Sequence, residues 1–293
     1  MRDASTYRPL LLGLVAAFFW GTHSTIVRFL SADIAGITSA TIRLYIAALT
    51  LFIVLRIVGH RPTLDLKTKG LIPVVLALAA NFAFFHIGLQ YASATSAILL
   101  ENTAPVFVLL ILALGFRESP TFFEVVATLI VVVGAYLTVL SDFDLGSDFI
   151  VGDAIEVFAG LTWAAFLVAA SKSTSDDQSP LDRVNFMLVA FVGAAVLMTP
   201  FAAFALPSEL TGLDILLLVL LGIFPTAIAY VLWYEAAAQV STVLASLLFA
   251  LTVIFTFANA AIFLDEPITG GMIVGGILIV GGVMLAKIKG SGS

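Results

Sequence analysis

Apolar residues in this chain run in long blocks separated by short polar stretches. A helix rising 1.5 Å per residue needs about 20 mostly apolar residues to cross a hydrocarbon core about 30 Å thick. Ten blocks meet that length, at about 9–30, 36–58, 71–91, 94–115, 121–140, 152–172, 184–206, 213–237, 241–264 and 268–287. The pattern predicts an all-α integral membrane protein with ten transmembrane helices. Between the blocks, the longest polar stretches are "GHRPTLDLKTKG", "SDFDLGSDFIV" and "KSTSDDQSPLDR", each about a dozen residues and too short for a separate domain.

Composition agrees: 61% of residues are hydrophobic and 11% charged, against roughly 25% charged in a soluble domain. The chain has no cysteine, which excludes disulfides, thiolate metal sites and a thiol nucleophile. Of the 13 lysines and arginines, Arg28 and Arg43 fall inside the first two blocks. The other eleven all fall in one set of alternate loops and tails, while the opposite loops carry Asp33, Asp142, Asp144, Asp148, Glu209, Asp214, Asp265 and Glu266. The positive-inside rule then places both termini in the cytoplasm. The start, "MRDASTYRPLLLGL", lacks the short apolar core and small-residue cleavage site of a signal peptide, and "GSGS" at 290–293 reads as a cloning scar.

Weak self-similarity divides the chain. A shift of 148 residues lays "FRESPT" (116–121) on "LDEPIT" (264–269) and Gly134 on Gly282; a shift of 143 lays Trp20 on Trp163. Two repeats follow, 1–146 and 147–289, each of five helices. An odd number of crossings makes the second enter the membrane from the opposite side. Such inverted repeats place substrate sites near the midplane, between the halves.

The Trp-Gly of "FFWGTH", the arginine of "TIRLYIAAL", the proline of "ATSAILLENTAPVF" and the glutamates Glu118 and Glu266 before the last helix of each half resemble the drug/metabolite transporter superfamily, specifically its EamA-type exporters. The resemblance implies export of amino acids or similar metabolites across a bacterial inner membrane. It also implies that helices 1–4 and 6–9 surround a central cavity, with helices 5 and 10 outside it. One asymmetry stands out: Glu101, Asn102 and Pro105 map onto Phe249, Ala250 and Val253, so the polar insertion belongs to the first half alone.

That insertion is the first candidate site. Pro105 has no N–H to give the Glu101 carbonyl, so a kink is expected to begin at the carboxylate, open to a cavity or re-satisfied by Asn102 or Thr103. A carboxylate in hydrocarbon needs a partner. Glu101, His23 and Arg43 each lie about 10 Å below the same surface by helical rise, so Glu101 is expected to pair with Arg43 or His23, Arg43 serving as a structural group. Trp20 shares a face with His23, Ser24 and Val27; with Trp163 it falls near the midplane, whereas tryptophans usually sit in interfacial belts. Asn81 is central on a stripe with Ala77, Phe84 and Gly88, and His86 is turned about 140° from it. Tyr230 is central too, while Trp233 and Tyr234 fall near the inner end, as in a belt. Thr252, Thr256 and Asn259 form a polar stripe. Gly271 and Gly275 have the small-xxx-small spacing of a close helix contact, expected with the fifth helix rather than another subunit. Glu266 reads as a helix-start signal.

The reading is a secondary transporter working by alternating access on neutral or aromatic amino acids or similar metabolites, with Trp20, His23, Asn81, Glu101, Asn102, Trp163 and Tyr230 as substrate-binding residues. A channel or an intramembrane enzyme is the alternative class, but no ring of like charge and no metal or nucleophile constellation supports either. Expected partners are the small-molecule substrate and the lipid bilayer, with no nucleic acid, cofactor or metal. The expected state is a monomer, a homodimer being the alternative.

Overall fold

The computed structural model describes residues 7–31, 34, 36–88, 91, 100–139, 150–175, 177–207, 209–265 and 267–290. Among these there is helix and no strand. The helices are α1 (Arg8–Val27), α2 (Gly36–Ile57), α3 (Leu71–Gly88), α4 (Ala104–Gly115), α5 (Phe122–Val139), α6 (Ile150–Ser173), α7 (Pro180–Ala202), α8 (Gly212–Ala237), α9 (Thr242–Phe263) and α10 (Gly270–Gly290). Eight are long and apolar enough to cross a membrane, and α4 and α5 are shorter apolar helices. Asp33, Asp142, Asp144, Asp148 and Glu266 lie outside the described residues.

Several starts are set by capping rather than by hydropathy. The block expected from 184 begins at Pro180 because Ser179 and Asp182 form a capping box, satisfying N–H groups the first turn leaves free. Thr211 and Asp214 do the same for α8, and Asp214 also accepts from the Ser31 N–H at 2.9 Å, tying the start of α8 to the end of α1. At the opposite end Glu235 of α8 bonds Arg8 and Arg183, Lys172 bonds Glu118, and Ser241 bonds Glu124. The bundle therefore has a near side, with the Arg8 and Lys287 helix ends, and a far side, with the Ser31–Asp214 contact.

Helix pairing follows an approximate two-fold. α2 packs on α7 and α5 on α10; α3 packs on α6 as α1 does on α8, and α4 on α6 as α9 does on α1. The α5–α10 pair meets the rest of the bundle through α4 and α9. Its contact is glycine-mediated within one chain. A Cβ at Gly275 would strike the Gly134 carbonyl, and one at Gly271 the Leu137 carbonyl. At a shift of 148 the register is reciprocal, since Gly134 faces Ile279 and Gly282 faces Val131.

The same shift relates details that hydropathy cannot carry. Arg117 and Asp265, the non-glycine residues at positive φ among those described (56° and 55°), follow the ends of α4 and α9. The preceding N–H groups close back as Phe116 to Leu112 and Leu264 to Ala260. Helical pairing is also interrupted just before α4, at Thr103, and at the middle of α9, at Leu251. Thr103 donates to Leu100 and Val106 to Thr103, just as Leu251 donates to Leu248 and Ile254 to Leu251. This corrects the expected one-sided kink. The break is a property of both halves, and Val253 shows that it does not require a proline. Pro105 is not inside a continuous helix. It occupies the first turn of α4 behind Thr103, where its missing N–H has no intrahelical partner to lose. The Thr103 hydroxyl takes up the Leu100 carbonyl instead.

Interruption recurs in α8, whose turn widens to π-helix over Ile223–Ile228. Pro225 withholds an N–H there, and the Thr226 hydroxyl takes the Leu221 carbonyl at 2.8 Å.

Candidate functional site

The interruptions of α4, α8 and α9 converge on a cavity of about 80 Å³ in the middle of the bundle. Trp20, His23, Asn81, Glu101, Asn102, Trp163 and Tyr230 all line it, from α1, α3, α6, α8 and the residues just before α4. Arg43, expected as a purely structural group, lines it as well, as do Phe82, Phe85, His86, Pro225, Phe249, Thr252 and Thr256. Pro105 lies behind the wall, and Gly271 and Gly275 lie in the α5–α10 contact. The Ser24 side chain is outside the described residues.

Aromatic rings form the floor. Trp20 and Trp163 meet edge to face at 5.6 Å between centroids. Tyr230 lies 5.3 Å from Trp20 and 5.7 Å from Trp163, and Phe249 lies 4.9 Å from Trp163. Edge-to-face contacts at these separations are favourable beyond simple burial. Phe249 stands where the two-fold sets it opposite Glu101, so one half contributes a carboxyl and the other a ring. Below the floor Trp233 and Tyr234 are fully buried. This corrects the interfacial-belt expectation: the Trp233 indole N–H donates to Ala245 at 2.9 Å, and the Tyr234 hydroxyl meets Ser173 at 2.7 Å. Polar tips that find partners inside the bundle have no need of the headgroup region.

The polar wall is arranged differently from the expected Glu101–Arg43 pair. Arg43 reaches His23 Nε2 on α1 with one amino group at 2.5 Å and the Thr226 hydroxyl on α8 with the other at 3.2 Å. Its guanidinium carbon lies over the Phe82 ring, 5.6 Å from the centroid. Glu101 instead meets the side-chain amide of Asn81. The Asn81 amide also donates to the Ala159 carbonyl of α6 at 3.1 Å. The π-helical turn of α8 explains the difference, because it presents Thr226 to the guanidinium and draws Arg43 toward α1 and α8. His86 was turned away from Asn81 on a helical wheel, yet it reaches the same cavity, its ring 6.2 Å from His23. Its Nδ1 is bonded to the Phe82 carbonyl at 2.8 Å.

Among the described residues, the wall atoms without a hydrogen-bond partner include Arg43 Nε, Trp163 Nε1, His86 Nε2 and Thr252 Oγ1. Buried polar atoms are ordinarily satisfied, so two N–H donors and two further polar atoms are available to a solute. The threonine–asparagine stripe of α9 is divided. Thr252 and Thr256 face the cavity, while the Thr256 hydroxyl and the Asn259 amide each bond a carbonyl one turn back. Beside the site, Glu156 of α6 is fully buried with both oxygens unbonded. Its carboxyl lies against Gly88, where any side chain would collide with it. No signal in the hydropathy of α6 singled it out. Among the described residues no group of three His, Asp or Glu is placed to hold a metal.

The EamA-like transporter family matches the chain twice, over residues 8–140 and 151–288. An uncharacterized transporter of Archaeoglobus fulgidus is 28% identical over 277 residues, 92% of this chain and 95% of that one. The uncharacterized transporter YcxC of Bacillus subtilis is 25% identical over 241 residues, 77% of this chain and 76% of its own length. One protein crystal structure superposes with a TM-score of 0.80 over 97% of both chains at 18% identity, a likeness of fold.

Proposed function

The chain belongs to the EamA-like transporter family, and on that premise we propose that it exports small amphiphilic metabolites, neutral or aromatic amino acids foremost, by alternating access. One observation carries the substrate class: unpaired Arg43 and Trp163 donors share a cavity with the Glu101 carboxyl and a floor of aromatic rings. An amino acid has a carboxylate for the donors, an ammonium for Glu101 and a side chain for Trp20, Trp163, Tyr230 and Phe249. His23 and Asn81 hold Arg43 and Glu101 in place, and Asn102 stands beside the latter.

A cavity of about 80 Å³ is smaller than the roughly 300–1,000 Å³ of ordinary ligand pockets. The tryptophans touching across the axis account for its size, and receiving a substrate means parting them. The near side is closed beneath the rings, where Trp233, Tyr234 and Ser246 are fully buried. With the eleven loop and tail cations inside, the near side is cytoplasmic in a bacterial inner membrane.

Intrinsic fluorescence tests the proposal, since Trp20 and Trp163 border the site. Phenylalanine and methionine should produce a saturable change that Arg43→Gln abolishes in folded protein. A saturable response to sugars or polyamines, with none to any amino acid, would overturn the substrate class.

A further inference from the structure

Away from the central cavity, α1, α9 and α10 enclose a second space, an apolar groove of about 290 Å³ on the surface of the bundle. Leu11 and Leu14 form one wall, Leu248 and Leu251 the floor, and Val280 and Met284 the other wall. Both walls are exposed, and on a membrane helix that surface faces acyl chains. The near-side end is not apolar. The Lys287 ammonium lies 3.6 Å from the centroid of the Tyr7 ring, and this nitrogen is buried without a hydrogen-bond acceptor.

An ammonium carries three donors and no acceptor, and leaving them unsatisfied is costly. At the end of α10, level with the first turn of α1, the chemistry that meets the need is a phosphate at headgroup depth. The groove continues from that point toward the bilayer centre. We propose that it holds one acyl chain of an anionic phospholipid from the near-side leaflet, the Lys287 side chain turning outward from the Tyr7 ring to meet the phosphate.

The floor gives the site a consequence for transport. Leu248 and Leu251 are the two residues that close the break in α9, and their neighbours Phe249 and Thr252 line the central cavity. A chain seated in the groove braces that break from outside. This consequence rests on the proposed transport function; the binding site itself does not.

Native mass spectrometry of the detergent-purified protein with added phosphatidylglycerol or phosphatidylcholine tests the site directly. One lysine at an anionic surface corresponds to about a fivefold preference for the charged lipid. That preference should disappear in Lys287→Gln, and Leu11→Trp, placed on the exposed wall, should reduce retention of both lipids with the thermal midpoint unchanged. Equal retention of the two lipids by the unaltered chain, or an unchanged preference in Lys287→Gln, would overturn the proposal. So would complete cross-linking of Met284→Cys between two copies in lipid-free detergent, which assigns the groove to a dimer. A loss of amino-acid transport with lipid selectivity intact bears on the proposed function and leaves the site standing.

Discussion

Glu235→Gln should loosen the near side of the transporter, and the structure sets the size of the effect. Glu235 at the end of α8 bonds Arg183 of α7 at 2.6 Å, both side chains 12% exposed. It also bonds Arg8 of α1 at 3.1 Å, but Arg8 is 56% exposed. The exposed arm contributes about 0–1 kcal/mol, so the Arg183 arm dominates. A hydrogen bond to a charged group contributes about 1.5–3 kcal/mol. If that bond exists only while α1, α7 and α8 are drawn together, its loss multiplies the near-side-open population by about 10 to 150. Ser246 is a suitable reporter, since it is fully buried and lies one turn toward the near side of Phe249 on the same helical face. In the cysteine-free chain, Ser246→Cys should be alkylated by an impermeant maleimide at a rate that rises by that factor when Glu235→Gln is added. An unchanged rate in folded protein would refute the assignment of Glu235 as a latch.

Trp163→Ala, normalised to folded protein, should shift competition toward bulky amino acids over threonine and alanine. Equal loss for all of them would mean that the substitution only leaves a void, worth about 3–5 kcal/mol in soluble proteins. Gly275→Val should cost about 1–3 kcal/mol by driving α10 off the Gly134 carbonyl, whereas Gly281→Ala, with open space around it, should leave the thermal midpoint unchanged or raised; the reverse order would misplace the α5–α10 contact. Cysteines at Lys67 and Ser175 should label only from the cytoplasm and one at Glu209 only from outside, and labelling of Glu209→Cys from the cytoplasm would invert the proposed orientation.

Hydropathy carried most of the helix layout, because a bilayer demands long apolar runs whatever their packing. Trp20 and Trp163 were legible as a pair from the repeat and their depth. The break in α9 was not, since "FALTV" holds no glycine or proline to interrupt a helix; it is imposed by packing that the two-fold shares with α4. Arg43 was given the wrong partner because helical rise fixes depth but not azimuth, and the π-helical turn at Pro225 brought Thr226 round to it. Trp233 and Tyr234 looked interfacial for the same reason: depth alone cannot separate a side chain facing lipid from one bonded to Ala245 or Ser173. Glu156 went unremarked because a single acid near a helix start ordinarily reads as a dipole effect.

Counterflow in proteoliposomes addresses the central claim most directly. Vesicles loaded with unlabelled phenylalanine and diluted into a trace of labelled phenylalanine should accumulate label transiently above its equilibrium level, and Arg43→Gln should abolish the overshoot with protein incorporation unchanged. That outcome requires a site exposed alternately to the two sides. Uptake that rises only to equilibrium, whatever the internal solute, would contradict alternating access and return the cavity to a pore or an inert core.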